Sequence, residues 1–154
     1  MLPESVRVDS KADSVHLAMF PEVDPRWADA KLAQRWERLL DVRMKIQSAL
    51  EWRRRDKVIG SSLEAKVVIG AVEDVYKELE GADLTGLCIV SEVILNRVGE
   101  SPKEGHLLCD TAGLWIDVEK ATSAKCERCW NYRAAVGSFP DHPTLCDRCV
   151  EAVR

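Results

Sequence analysis

The amino-acid sequence predicts an α+β protein: one long helix drawn from a helical bundle, a small β-α-β-β unit, and a C-terminal Cys₄ zinc hairpin. Three observations lead there. Residues 26–55 contain neither Gly nor Pro and repeat apolar side chains at helical spacing. Short β-branched runs follow around 67–69, 87–95 and 114–118. Two Cys-x-x-Cys pairs, Cys126/Cys129 and Cys146/Cys149, lie near the end of the sequence.

The totals set the frame. A chain of 154 residues suits one domain or two small ones with a modest core. Charged residues make up 31% and apolar ones 46%, as in ordinary globular proteins. The longest uncharged apolar run, Val67 to Val72, is far too short to span a bilayer, so no membrane partner is expected. The net charge of −4 hides an asymmetry: residues 1–25 carry −3, 26–57 carry +5, 58–119 carry −8 and 120–154 carry +2. A polyanion would meet the second and last segments. The excess is moderate, so electrostatics permits nucleic acid without demanding it.

In chain order, residues 1–13 are polar and read as loop or frayed helix. Pro21 and Pro25 then forbid a continuous helix through Val15, Leu17 and Phe20, which predicts an extended loop packing apolar side chains on a neighbour. His16 within it reads as a hydrogen-bonded structural histidine. Asp24 and Pro25 are suited to the cap and first position of the long helix. From Arg26 to about Arg55, Leu32, Trp36, Leu39, Leu40, Ile46 and Leu50 predict one buried stripe on a rod of roughly 45 Å. Such a helix usually belongs to a bundle, and its stripe calls for partners beyond this chain. Arg53, Arg54 and Arg55 favour the negative helix end, or else reach a phosphate. Gly60, Ser61 and Ser62 are expected to break the helix.

The period then changes. Residues around Val67, Val68 and Ile69 read as a strand. Glu73 to Glu80 reads as a short helix with Val75, Tyr76 and Leu79 on one side, stopped by Gly81. Leu87 to Leu95 reads as a second strand and holds Cys88 as a small core side chain. Gly99 to Gly105 reads as a turn or loose loop. Residues 113–119 alternate as a third strand, with Leu114, Ile116 and Val118 on one face. Cys88 and Cys109 lack a Cys-x-x-Cys partner and are excluded from the metal.

The four remaining cysteines carry the strongest signal. Structural Zn²⁺ takes four soft ligands in a tetrahedron, and a two-residue gap lets one tight turn aim both sulfurs at one point. The sixteen residues between Cys129 and Cys146 leave room for a short hairpin. Disulfides would need an oxidising compartment, and a redox pair would use one motif at a strand end; neither suits two pairs in a chain without a signal peptide. A reducing cytosol does. Four thiolates leave the cluster at about −2, which Lys125, Arg128, Arg133 and Arg148 are placed to screen. The site is closed, so it builds structure and performs no chemistry. No Gly-rich phosphate loop, nucleophile elbow or His-Glu-x-x-His accompanies it.

Three stretches also carry a family resemblance: D-S-V-H-L-A-M-F-P at 13–21, R-R-D-K-V-I-G-S-S-L-E-A-K-V at 54–67, and K-C-E-R-C-W-N-Y at 125–132 with C-D-R-C-V at 146–150. In that order they closely resemble the C-terminal end of bacterial isoleucyl-tRNA synthetase over nearly the whole chain. The resemblance implies a class I synthetase that uses ATP to charge tRNA(Ile) with isoleucine, working in the cytoplasm as a monomer. Its His-Ile-Gly-His and Lys-Met-Ser-Lys-Ser signatures, Rossmann core and editing domain would lie upstream, so ATP and isoleucine would bind outside this chain. Met1 would then be an artificial start. By this resemblance residues 1–60 are the tail of the helical anticodon-binding domain, 61–120 a small subdomain and 121–154 the zinc finger.

RNA loops are recognised through bases stacked on aromatic or guanidinium planes, with cations on phosphates. Trp130, directly after the first knuckle, and Arg128 and Arg133 beside it are candidate RNA contacts, as are Arg53, Arg54 and Arg55. The structural alternative packs Trp130 on the zinc core and leaves Arg128 to offset the thiolates. Two other classes stay open. DNA glycosylases that excise oxidised purines end in a related zinc hairpin, but their N-terminal proline nucleophile is displaced here, at Pro3 behind Leu2. A zinc ribbon for protein contacts is the third.

Overall fold

The computed structural model describes residues 14–17, 23–99 and 113–153. The readings of residues 1–13, Phe20, Pro21, Cys109 and most of the 99–105 loop lie outside them. The chain divides into two compact units, residues 1–34 and 35–154. In the first, short turns span Val15–Leu17 and Pro25–Trp27. The expected packing of this region is not seen at Leu17, which is exposed, as is His16.

Helix α1 spans Ala30–Arg55. Its start corrects the sequence expectation. Asp24 caps only the Pro25–Trp27 turn, accepting from the Arg26 N–H at 2.9 Å. Ala28 then leaves the helical region at ψ 107°. Asp29 is the true cap, its carboxylate accepting from the N–H groups of Lys31 and Leu32 at 2.9 and 3.0 Å. The buried stripe is also rotated: Leu39, Val42, Ile46, Ala49 and Leu50 are buried, while Leu32, Trp36 and Leu40 are exposed.

The helix ends before Gly60. Lys57 takes a left-handed φ of 58°, Val58 N–H reaches Arg53 O at 2.9 Å and Lys57 N–H reaches Arg54 O at 3.1 Å. That is a Schellman stop made with lysine in the usual glycine position. Ser61 then caps a turn over Ser62–Glu64 by accepting from the Leu63 N–H at 3.2 Å. The Glu64 carboxylate accepts from the Gly60 N–H at 3.1 Å.

Among the described residues the sheet has three strands, with β1 (Ala65–Ala71) central between β2 (Glu92–Arg97) and β3 (Leu114–Lys120). Its alternate residues Ala65, Val67, Ile69 and Ala71 are fully buried, the period-two pattern of a half-covered strand. Helix α2 (Glu73–Leu79) follows, and Gly81 turns the chain just beyond its cap at φ 74°. The next segment differs from expectation. Leu84–Cys88 is a short helix, α3, capped by Asp83 and closed by Ile89 at φ 56°; β2 starts only at Glu92 and runs to Arg97. Asp83 satisfies the Gly86 N–H at 2.9 Å, and that cap outweighs the β propensity of Leu87 to Val90. Cys88 is nonetheless a buried core residue, as read.

Strand β2 pairs parallel to β1, and β3 (Leu114–Lys120) pairs antiparallel to it. Gly113 opens β3 at φ 80°, and a Cβ there would come within 2.5 Å of a Val72 methyl. Leu114, Ile116 and Val118 join the core under α1, with Leu39, Val42, Ile46 and Leu50. Arg53 clamps the helix to β3: its Nε donates to Val118 O and its terminal nitrogen to the Asp117 carboxylate, both at 2.9 Å. Among the described residues no helix is long and apolar enough to cross a membrane.

Candidate metal centre and its surface

Two tight turns bring the four cysteines together. Cys126 N–H donates to Asn131 O at 2.9 Å and Trp130 N–H returns to Cys126 O at 2.8 Å, folding the first knuckle back on itself. A single bridge pairs Lys125 with Tyr132 below it. The long gap continues as successive turns, with Glu127 N–H meeting Thr144 O at 3.1 Å. The second knuckle opens helix α4 (Asp147–Val153), and Cys146 N–H donates to the Cys126 sulfur at 3.3 Å.

All four sulfurs lie within 4.8 Å of one another. Cys129 and Cys146 are 3.7 Å apart, matching the ~3.8 Å edge of a tetrahedron with ~2.3 Å Zn–S arms. No disulfide forms among the described cysteines. Cys126, Cys146 and Cys149 are fully buried, and Val136 and Leu145 pack on the cluster. The residues therefore fit one zinc ion, held by Cys126, Cys129, Cys146 and Cys149, which would lock the two knuckles together and supply no reaction.

The local electrostatics suit thiolates unequally. Burial pushes the Cys146 thiol up to about 12. Burial also opposes ionisation of Cys129, yet hydrogen bonds from the Asn131 side chain and N–H, together with those of Cys126 and Cys149, hold that thiol down to about 6. Arg128 donates to Cys149 Sγ at 3.6 Å. Arg148 bonds Cys129, which raises the already high pKa of its guanidinium. The cluster's charge thus has two of its expected cations at hand. Lys125 instead lies over the Trp130 ring, 5.2 Å from its centroid, and Arg133 sits 3.9 Å from Asp147.

The six candidate RNA contacts divide by environment. Trp130 is 60% exposed and holds a left-handed φ of 65°. The partly buried apolar side chains packed on the metal cluster are Val136 and Leu145. Arg128 is exposed beside it. Arg133 is half-buried, with its Nε lacking a partner among the described residues. Arg53 is committed to β3, Arg54 pairs with Glu51, and Arg55 is exposed at the helix end. Sequence reasoning missed Asn131, whose role depends on a turn closed by Cys126, and Ser91, which no motif marks.

Residues 124–152 match a family model described as a zinc finger found in FPG and IleRS. The chain is also similar to the isoleucine–tRNA ligase of Geobacter sulfurreducens, 41% identical over 143 residues that cover 92% of this chain and 15% of that protein. The isoleucine–tRNA ligase of Desulforamulus reducens is 39% identical over 150 residues, covering 96% of this chain and 16% of its own length. That of Desulfitobacterium hafniense is 43% identical over 141 residues, 86% of this chain and 15% of the relative. The chain therefore spans about 15% of the length of the curated relatives it matches, and the match falls in their C-terminal part.

Proposed function

We propose that this chain is the tRNA-binding end of an isoleucine–tRNA ligase, a zinc-clamped surface that grips the anticodon region while the chemistry proceeds elsewhere. In this reading residues 1–60 are the tail of the anticodon-binding bundle, 61–120 a spacer subdomain and 121–154 the RNA-facing finger. ATP and isoleucine bind the upstream catalytic part, and the whole enzyme works as a monomer in the cytoplasm on tRNA(Ile).

One observation carries the reading. The ring of Trp130 stands in solvent on a turn that four metal-ligating cysteines would fix, with Lys125 lying 5.2 Å from its centroid and exposed Arg128 two residues before it. A flat exposed aromatic ring among cations is what an unstacked RNA base and its phosphate require. Stacking contributes about 1–3 kcal/mol per base, so one such contact changes affinity measurably. Arg55, with no partner among the described residues, can meet a phosphate, whereas Arg128 would have to leave the Cys149 sulfur. Arg53 serves the fold, and Arg54 and Arg133 would have to give up their present partners.

Trp130→Ala in the complete ligase tests this directly. The expected result is tRNA affinity weakened about tenfold, with zinc content unchanged. Unaltered affinity with zinc in place would overturn the reading. The family model also names FPG, so duplex DNA is the competing ligand to include; a preference for it over tRNA would favour the glycosylase-like alternative.

A further inference from the structure

The Ser-Leu-Glu-Ala stretch at 62–65 stands out in the sequence, yet neither the metal centre nor the aromatic surface uses it. The structure gives it a different task. Two successive carbonyls of this turn face the zinc module. Glu64 O accepts from the Ala121 N–H at 2.7 Å, where the chain leaves β3 for the first knuckle. Leu63 O accepts from the hydroxyl of Ser91. That same hydroxyl accepts from the Tyr132 N–H at 2.7 Å.

Ser91 is thereby placed between three segments far apart in sequence. Its own N–H donates to Ala65 O at 3.2 Å, at the point where β2 joins the sheet. Its side chain is the one buried polar residue among those described, at 7% exposure. A buried hydroxyl has one proton to give and lone pairs to accept with, and here both capacities are used. Tyr132 in turn pairs with Lys125 and lies two residues beyond Trp130. The turn that presents Leu63 O is itself held from both ends, by Ser61 at its start and by the Glu64 carboxylate on the Gly60 N–H.

We infer that Ser91 is a positioning residue: with the Ser61–Glu64 turn it fixes the zinc module against the three-stranded sheet, and so sets the direction in which Trp130 meets its ligand. The metal holds the module's interior together, and Ser91 holds the module to the rest of unit 35–154. The two tasks separate. Removing the hydroxyl leaves all four thiolates in place but frees the Tyr132 N–H and the Leu63 carbonyl together. The consequence for RNA rests on the proposed function; the mechanical claim does not.

The test uses Ser91→Ala, Ser91→Thr and the exposed-site variant Ser61→Ala, each with zinc content, amide exchange at Tyr132 and tRNA affinity of the complete ligase. Ser91→Ala is expected to retain one zinc, to speed Tyr132 exchange about five- to tenfold, and to weaken tRNA binding about threefold, on the scale of one lost neutral hydrogen bond. Ser91→Thr restores the hydroxyl and both readouts. Ser61→Ala loosens the same turn and gives a smaller rise in Tyr132 exchange. Zinc loss in Ser91→Ala or unchanged Tyr132 exchange would overturn the mechanical claim, and unchanged tRNA affinity despite faster exchange would overturn the claim that Ser91 sets the direction of Trp130. If the wild-type ligase showed no tRNA binding through this surface, the RNA reading alone would fall, and Tyr132 exchange would still decide the role of Ser91.

Discussion

Trp130 occupies a backbone region that costs a bulky L-residue about 1–2 kcal/mol. The knuckle imposes it, because the Trp130 N–H must turn back to Cys126 O. Glycine meets the same requirement at no steric cost. Trp130→Gly is therefore expected to keep zinc and raise stability by about 1 kcal/mol, while weakening RNA binding like the alanine variant. Urea unfolding beside a tRNA titration would check both; lower stability with intact affinity would mean the ring supports the fold. Cys88 makes a separate prediction. Burial first, against a smaller pull from Arg43, pushes its thiol up to about 11 from an ordinary value near 9. The native state favours the neutral thiol, so its contribution is complete below pH 9 and is lost as pH rises toward 11. Cys88→Ala should flatten that part of the stability profile relative to wild type, measured by urea midpoints across the range. Arg53 shows why position at a helix end is a weak guide to role: its charge suits the dipole, but its fork is used on Val118 O and Asp117.

Among the elements, the metal centre and the strands β1 and β3 were legible in the sequence because their signals are local. Cys-x-x-Cys spacing is set by one turn, and alternation along a strand needs only the strand. The start of α1 was not, since Asp24-Pro25 and Asp29 offer competing caps and only the departure of Ala28 from helical geometry decides between them. The spacing of Leu32, Trp36 and Leu40 does not reveal the face of α1 turned to this chain's own core: those three side chains stand exposed, and small Ala49 and Val42 complete the buried face. The second strand begins later than its β-branched content predicts. The Asp83 cap and the left-handed Ile89 make α3 from residues whose β-branched neighbours suggest a strand. That strain is testable: Ile89 is exposed, so Ile89→Gly should stabilise the protein by about 1 kcal/mol in urea unfolding. A loss of stability would mean that its side chain contributes packing that the exposure does not suggest.

At the scale of the whole molecule, the residues after β3 have few apolar contacts of their own; the buried cluster there consists of Cys126, Cys146 and Cys149, flanked by Val136 and Leu145. So small a core does not hold a fold without the metal, whose binding free energy becomes folding free energy. Protons compete for the same sulfurs, and with Cys146 pushed up to about 12, metal uptake must release a proton at neutral pH, so zinc affinity should rise with pH. The sheet and α1 form their own apolar cluster, so metal loss should spare them. The account thus rests on a metal-clamped surface whose order is needed to hold RNA. The most direct measurement is the tRNA dissociation constant of the complete ligase carrying Cys126→Ala, taken beside its zinc content. The account predicts loss of this zinc and affinity weakened about tenfold or more; wild-type affinity in a protein shown to have lost the metal would contradict it.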